Sequence, residues 1–324
     1  MPSISRFSAT LFAACAGLAF GASALAQAFP TKPITIISAY PPGGGGDVIA
    51  RMMAPRLAQR LGQNVVIDNK PGASGNIATD FVARAPADGY TILINNATVV
   101  LNAALGMPQS FKVQQDLKYL TAVASTPVAI AVHPSVPAKN VEELVTWMSQ
   151  NKASYASCGN GSPQHLAGAR FAQLAKLDVV HVAYKGCAPA VMDGIAGTVP
   201  VLFNTVPNLE AQVKAGKLRY IAIAAQQRIP FKPDLPTVAE TKGFASFEAE
   251  VWFGFIGPAK LPPAVAKRIE QELLAVARDK DVQTELADRY FSLRVLDSAQ
   301  FEKQIASDLV SWKRLADELK IKLD

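Results

Sequence analysis

Tyr40-Pro41-Pro42-Gly43-Gly44-Gly45-Gly46-Asp47 lies between a β-branched run, Ile34-Thr35-Ile36-Ile37-Ser38-Ala39, and an amphipathic run that follows it. The upstream run has the branched apolar content of a buried strand. Two prolines cannot continue a central ladder, and four glycines let the backbone take positive φ and approach a ligand with no Cβ in the way. Downstream, Ile49, Met52, Met53, Leu57 and Leu61 recur at helical spacing, with Asp47 reading as the N-cap and Gly62 as the stop. The helix N-terminus points back at the loop, so unpaired amide N–H groups and the positive end of the helix dipole meet there and suit an anion. The competing reading is an ordinary strand-to-helix connection whose glycines serve only the turn.

Spacing excludes the two common nucleotide loops. No Gly-Lys-Ser/Thr follows, and a third Rossmann glycine after Gly43 and Gly45 would fall on Val48.

The flanking chain continues the pattern. Asn64 to Asn69 reads as a strand, Pro71 to Gly75 as a second tight loop before a helix reaching Ala85, and Tyr90 to Asn95 as a third strand. Alternation of strand and helix predicts a parallel sheet covered on both faces, with ligands collecting beyond the carboxyl ends of the strands, where the glycine loop and Asn96 fall. Leu120 to Ala124 and Pro127 to Val132 read as two connecting apolar segments, and Val251 to Ile256 as a return. Between them lies a second α/β set: a helix capped by Asn140, then strands at Ser154 to Ser157, Val179 to Tyr184, Val199 to Asn204 and Leu218 to Ala225. Beyond Phe255 the chain reads as mostly helical, from Pro263 to a last helix marked by Phe301, Ile305, Leu309, Trp312 and Leu319. The expected fold class is α/β with one domain inserted into another, two crossings forming a hinge. The boundaries are 1–26 as a signal peptide, 27–124 with 252–324 as the first domain, and 125–251 as the inserted one.

The signal peptide follows from Arg6, the apolar stretch Phe7 to Phe20 and Ala24-Leu25-Ala26 as an A-x-A cleavage site; a lipoprotein site at Cys15 fits less well, since Phe12 stands where Leu is usual. No other apolar run is long enough to cross a bilayer. Of 324 residues, half are hydrophobic and 18% charged, which suits a well-cored chain long enough for two domains. The formal net charge of +6 is scattered, with no basic cluster interleaved with aromatics, so nucleic acid is not expected as a partner. Cys158 and Cys187 survive processing and are a disulfide candidate in an oxidising compartment, the alternative being two free thiols.

The inserted set carries a second glycine loop, Tyr155-Ala156-Ser157-Cys158-Gly159-Asn160-Gly161-Ser162-Pro163-Gln164-His165, in which Ser162 is an N-cap and Pro163 the first helical residue. One such socket in each half would let a ligand be gripped between them. His133, His165 and His181 do not form a metal pair, so neither metal nor cofactor is implied. His165, in a first helical turn, is expected neutral, and His181 mid-strand is read as a core or face residue. Lys185, at a strand end, reads as a solvated lysine. A hydrolase would use Ser162 or Cys158 with His165 as base. Gly-x-Ser-x-Gly is absent around Ser162, and no orienting carboxylate lies within the motif, so binding ranks ahead.

Tyr-Pro-Pro-Gly-Gly-x-x-Asp-x-x-Ala-Arg from Tyr40, Asn-Lys-Pro-Gly-Ala from Asn69, Ala-Asp-Gly-Tyr-Thr from Ala87, Gly-Asn-Gly-Ser-x-x-His-Leu-Ala from Gly159, Tyr-Lys-Gly from Tyr184, Gly-Lys-Leu-Arg from Gly216, Leu-Pro-Thr-Val-Ala-Glu from Leu235 and Trp-Phe-Gly from Trp252 follow one another along the chain. In that order and spacing they resemble the Bug family, the solute-binding proteins of tripartite tricarboxylate transporters. The resemblance implies a monomeric, two-domain periplasmic Venus flytrap that binds a small organic carboxylate and delivers it to transporter membrane subunits, or that serves as a sensing receptor instead. It implies a pincer of Gly43, Gly44, Gly45, Gly46 and Asp47 against Gly159, Asn160, Gly161 and Ser162, with Tyr40, Asn96, Gln164, His165, Tyr184 and Asn204 lining the cleft. Some members of the family carry both cysteines, which favours the Cys158–Cys187 disulfide. Two departures stand out: Ala183 where the family usually has Pro, and Asn204 where it usually has Asp. Were Asn204 to face the far end of the ligand, the missing negative charge would disfavour an ammonium and tolerate a second carboxylate or a neutral group.

Overall fold

A computed structural model describes residues 29–319 and 321; the signal peptide expected over 1–26 lies outside them. The chain enters through β1 (Ile34–Ser38), α1 (Gly45–Leu61), β2 (Val65–Asn69), α2 (Asn76–Ala83) and β3 (Thr91–Asn96). Strand β1 is paired in parallel with both β2 and β3. Ile34, Ile36 and Ile37 are all buried because helices cover both faces, as the continuous apolar run required. In α1 the stripe of Ile49, Met52, Met53 and Leu57 is buried, and Gly62 ends the helix in the left-handed conformation at φ 66°.

After α3 (Thr98–Ala104) the chain forms β4 (Leu117–Val132), a single strand of 16 residues. The sequence reads as two segments here because Pro127 interrupts it. Pro127 is the last residue of β4 paired with β9 (Glu250–Pro258), and pairing with β7 (Val201–Thr205) begins at Val128. The proline therefore stands at the changeover between neighbours, where a missing N–H disturbs the ladder least. The ten strands run β2-β1-β3-β9-β4-β7 and then β5 (Ser154–Ser157) and β6 (Val180–Ala183), with β8 (Arg219–Ile223) and β10 (Ser292–Leu296) also paired to β4.

The second lobe is built on β4, β7, β8, β5 (Ser154–Ser157) and β6 (Val180–Ala183), with α4 (Val141–Gln150), α5 (Pro163–Ala175), α6 (Cys187–Ile195) and α7 (Val206–Lys214). Strand β5 pairs in parallel with β6 and β7, so the loops following all three leave from one edge. Asn140 caps α4 by accepting the Glu143 amide at 2.9 Å. The chain closes with α8 (Pro263–Ala277), α9 (Lys280–Asp288), β10 and α10 (Ser298–Leu319). The tail is mostly helical, as expected, with one strand that the sequence reading did not pick out. Ser292 to Leu296 is a short, half-exposed strand antiparallel to β4, whose weak alternation hides in a helical context.

Two aromatic clusters tie the layers. Phe301 of α10 meets Tyr119 and Trp252 edge-on at centroid distances of 5.3 and 5.0 Å. In the second lobe Phe171, Phe203, Phe244 and Phe247 pack together under α5. Cys158 and Cys187 are disulfide-bonded, joining the loop after β5 to the first residue of α6.

Candidate functional site

Strand register sets the levels. In the first lobe Ser38 pairs with Ile94, so Tyr40 stands level with Asn96, and the Tyr40 hydroxyl donates to Asn96 Oδ1 at 3.1 Å. Burial pushes the Tyr40 phenol above its ordinary pKa, so it is a neutral donor. The next residues turn at once: the Gly44 amide donates to the Pro41 carbonyl at 3.0 Å, and α1 starts at Gly45. Gly45 is demanded by a close approach, since a Cβ there would lie 2.7 Å from Phe253 Cζ.

Asp47 is not the N-cap. That position belongs to Gly44, and Asp47 sits in the first turn with its carboxylate folded back under the loop. It accepts from the Gly43 amide at 2.9 Å, from Asn69 Nδ2 at 2.8 Å and from Arg51 Nε at 2.9 Å. Burial works against its charge, but the bonds from Arg51, Gly43 and Asn69 hold the carboxyl below the usual range. Asn69 also donates to the Tyr40 carbonyl at 2.9 Å, so one side chain ties both ends of the loop. The carboxylate is thus a brace behind the loop. The amides of Gly45, Gly46 and Asp47, the first three of α1, have no acceptor among the described residues.

In the second lobe, β5 to β6 register (Ser157 with Ala183) and β5 to β7 register (Ala156 with Leu202) put Cys158, Tyr184 and Asn204 at one level. The loop Cys158 to Gly161 rises from that floor. Ser162 caps α5 as read from the sequence: its Oγ accepts the His165 amide at 3.1 Å and donates to the Gly159 carbonyl at 2.8 Å. His165 Nδ1 accepts the Gly161 amide at 3.2 Å, which places the ring proton on Nε2. Its ring lies on that of His181, and His181 Nε2 is 2.7 Å from Ser157 Oγ. Burial, with the neighbouring His181, lowers His165 to about 3, and burial lowers His181 to about 4. Both are neutral braces of the loop at ordinary pH. The amides of Asn160 and Gln164 have no acceptor among the described residues.

Other expected lining residues are placed differently from one another. Gln164 and His165 are buried in the first turn of α5. The Tyr184 hydroxyl donates to Asp193 Oδ2 at 2.6 Å, and its pKa is pushed up to about 12 by burial and by that carboxylate. Asn204 is fully buried; its Oδ1 accepts the Thr205 amide and Asn208 Nδ2, each at 2.8 Å, while its Nδ2 has no acceptor among the described residues. One contact between the two lobes is at Gly161. At φ 67°, it faces Met107, Leu105 and Asn102 of the first lobe, and a Cβ there would lie 3.0 Å from Met107 Sδ.

Sequence reasoning missed Asn69, Asn102, Met107 and Phe253 as parts of this region. Asn69 was within reach, as the polar end of a strand beside the loop; Asn102 and Met107 are brought in by the contact between lobes, and Phe253 by the pairing of β9 with β3 inside the first. Among the described residues no group of three metal-binding side chains is found, and no helix is long and apolar enough to cross a membrane.

The sequence profile of the tripartite tricarboxylate transporter family receptor matches residues 49–321. The protein BugT of Bordetella pertussis is 30% identical over 97% of this chain and 96% of its own length. The solved periplasmic binding protein BugD superposes with a TM-score of 0.83 at 27% identity, covering 91% of this chain and 99% of that one. Rpa4515 of R. palustris, solved with adipate, superposes with a TM-score of 0.86 at 27% identity, over 90% of this chain and 99% of its own.

Proposed function

This chain belongs to the tripartite tricarboxylate transporter family of receptors, of the Bug type, and from that premise we propose that it captures a small organic carboxylate between its two glycine loops and presents it to a transporter in the membrane. The observation that carries the reading is a glycine loop leading into a helix N-terminus in each lobe, α1 and α5, each with backbone amides lacking an acceptor among the described residues. Such termini stabilise an anion without any lysine or arginine in contact. The adipate bound to Rpa4515 is a chemical guide to ligand class.

The division into 27–124 with 252–324 and 125–251 puts the crossings at β4 and β9, where Pro127 pairs with Glu250, and closure bends the chain there. The protein works in the periplasm after export, and the closed form is what the membrane subunits recognise. A binding role is favoured over hydrolysis by three geometric facts. The Ser162 hydroxyl is given to the Gly159 carbonyl, the His165 Nδ1 is taken by Gly161, and Cys158 is in a disulfide.

Native mass spectrometry of protein purified from its host tests this, with a co-purified carboxylate released on denaturation as the expected result. No retained carboxylate, together with no thermal shift across a panel of two- to six-carbon carboxylates, would overturn it. Ester turnover abolished by Ser162→Ala would put hydrolysis in its place.

A further inference from the structure

We propose that the cavity behind the second glycine loop is a binding site of its own, separate from the carboxylate clamp, for an uncharged molecule with an apolar body and one acceptor oxygen, and that its occupant acts on the clamp through His165. The site goes beyond the carboxylate function; its coupling to the clamp rests on that reading.

The cavity, about 410 Å³, lies between α5, the approach to β6 and the end of α10, and its size is that of a small-molecule site. Its walls are aliphatic: Ala169 and Ala172 of α5, Leu177 and Val179 ahead of β6, and Leu319 at the end of α10. Rings form the floor. Tyr155 stacks on His181 at a centroid distance of 5.0 Å, and His181 on His165 at 3.8 Å.

His165 supplies the polar end. It is 7% exposed, and its imidazole gives Nδ1 to the Gly161 amide and one face to His181. The ring proton is therefore on Nε2, where no described residue accepts it. Among the described residues, the unpaired side-chain atoms that solvent cannot reach do not include Nε2, so this N–H opens on the cavity that His165 lines. Water meets its need in an empty cavity, and a ligand oxygen takes that place in a filled one.

Charge narrows the class. Asp178 and Glu318 line the cavity, and among the described residues no lysine or arginine does; Arg170 reaches Glu318 at 3.7 Å from outside the lining. An anion is disfavoured there, the reverse of the clamp. A cation offers nothing to the donor at the floor, and a metal ion would need the Nε2 lone pair where the proton sits. An amide, ketone or alcohol with an apolar body meets each condition.

The same imidazole links the cavity to the clamp. Donation from Nε2–H to an oxygen makes Nδ1 a stronger acceptor for the Gly161 amide, by the polarisation that runs along hydrogen-bonded chains. Occupancy thereby steadies the loop, and the carboxylate and the cavity ligand favour each other by one factor.

The test uses protein labelled with nitrogen-15 at its three histidines and two isosteric probes, benzamide and benzamidinium, the second lacking an oxygen. The His165 ring should show the Nε2–H tautomer. Benzamide should shift that nitrogen saturably, and benzamidinium should bind about tenfold more weakly. Ala169→Leu, which fills the cavity from α5, should abolish the benzamide response and leave calorimetric adipate binding as it was. Saturating benzamide should tighten adipate about twofold to fivefold in the native chain and not in the variant. An Nδ1–H tautomer, no saturable shift with benzamide, equal binding of benzamidinium, or an undiminished response in Ala169→Leu shown to be folded by circular dichroism overturns the site. Adipate affinity unchanged by benzamide overturns the coupling. Failure of adipate and the wider carboxylate panel to bind overturns the clamp instead, and the benzamide titration still decides this site.

Discussion

The imidazole of His165 lies flat on that of His181, with ring centroids 3.8 Å apart and planes 6° from parallel. Each ring holds a different point of the second glycine loop, His165 through the Gly161 amide and His181 through Ser157, whose Oγ contacts Gly159. The pair works only while neutral, because a proton on His165 Nδ1 would turn a donor toward the Gly161 amide.

Acid should therefore weaken the fold before the carboxylates titrate. Both histidines are lowered from 6.5 in the folded chain, so the stability they confer is complete above about 6.5 and is lost as pH falls toward about 3 to 4. His165 contributes a slope of up to about 1.4 kcal/mol per pH unit in that window, and His181 acts over a shorter one because its folded value lies higher. Urea unfolding between pH 7 and 5 should show this slope in the native chain and a smaller one in His165→Asn. Equal slopes in both would contradict it.

Removing the Asp47 carboxylate should loosen the first loop without touching the amides that face the ligand. Asp47→Ala orphans the Gly43 amide and takes one acceptor each from Asn69 and Arg51, and a loss of about 1–3 kcal/mol is expected in chemical denaturation. A loss below about 0.5 kcal/mol would show that the brace is dispensable.

Gly161→Ala places a side chain at positive φ and against Met107, and is expected to reduce ligand affinity about tenfold. Met107→Ala in the same chain should recover the part due to contact and not the part due to backbone strain, which a double-mutant cycle by calorimetry separates. Independent effects would mean that the lobes do not meet here when ligand is bound.

Breaking the disulfide should cost the second lobe. Cys158 and Cys187 are 29 residues apart, and closing a loop of that length is worth about 3–4 kcal/mol in the chain-entropy treatment. Cys158→Ser with Cys187→Ser should lower the melting temperature and weaken ligand binding, whereas an unchanged affinity would separate the staple from the clamp.

Much of this was legible in the residues and some was not, for physical reasons. Periodicity located β1, α1 and β3, and Ser162, Asn140, Gly62 and Pro263 marked helix ends as capping chemistry says they should. Asp47 misled because a side chain that favours caps is equally suited to a first turn, while the actual cap, Gly44, carries no side chain to read. Pro127 divided β4 on paper because a proline is normally excluded from a central strand, and only the exchange of partners at that residue explains it. The stacking of His165 on His181 and the approach of Gly161 to Met107 depend on packing between elements remote in sequence, which no local pattern encodes.

The central claim is that one carboxylate is held by both loops at once, and amide hydrogen exchange tests it most directly. On saturation with the tightest-binding carboxylate, adipate being the first probe, the stretches Gly43 to Asp47 and Asn160 to Gln164 should gain protection together while the outer helices do not change. Protection confined to one loop, or appearing only elsewhere in the chain, would contradict the clamp.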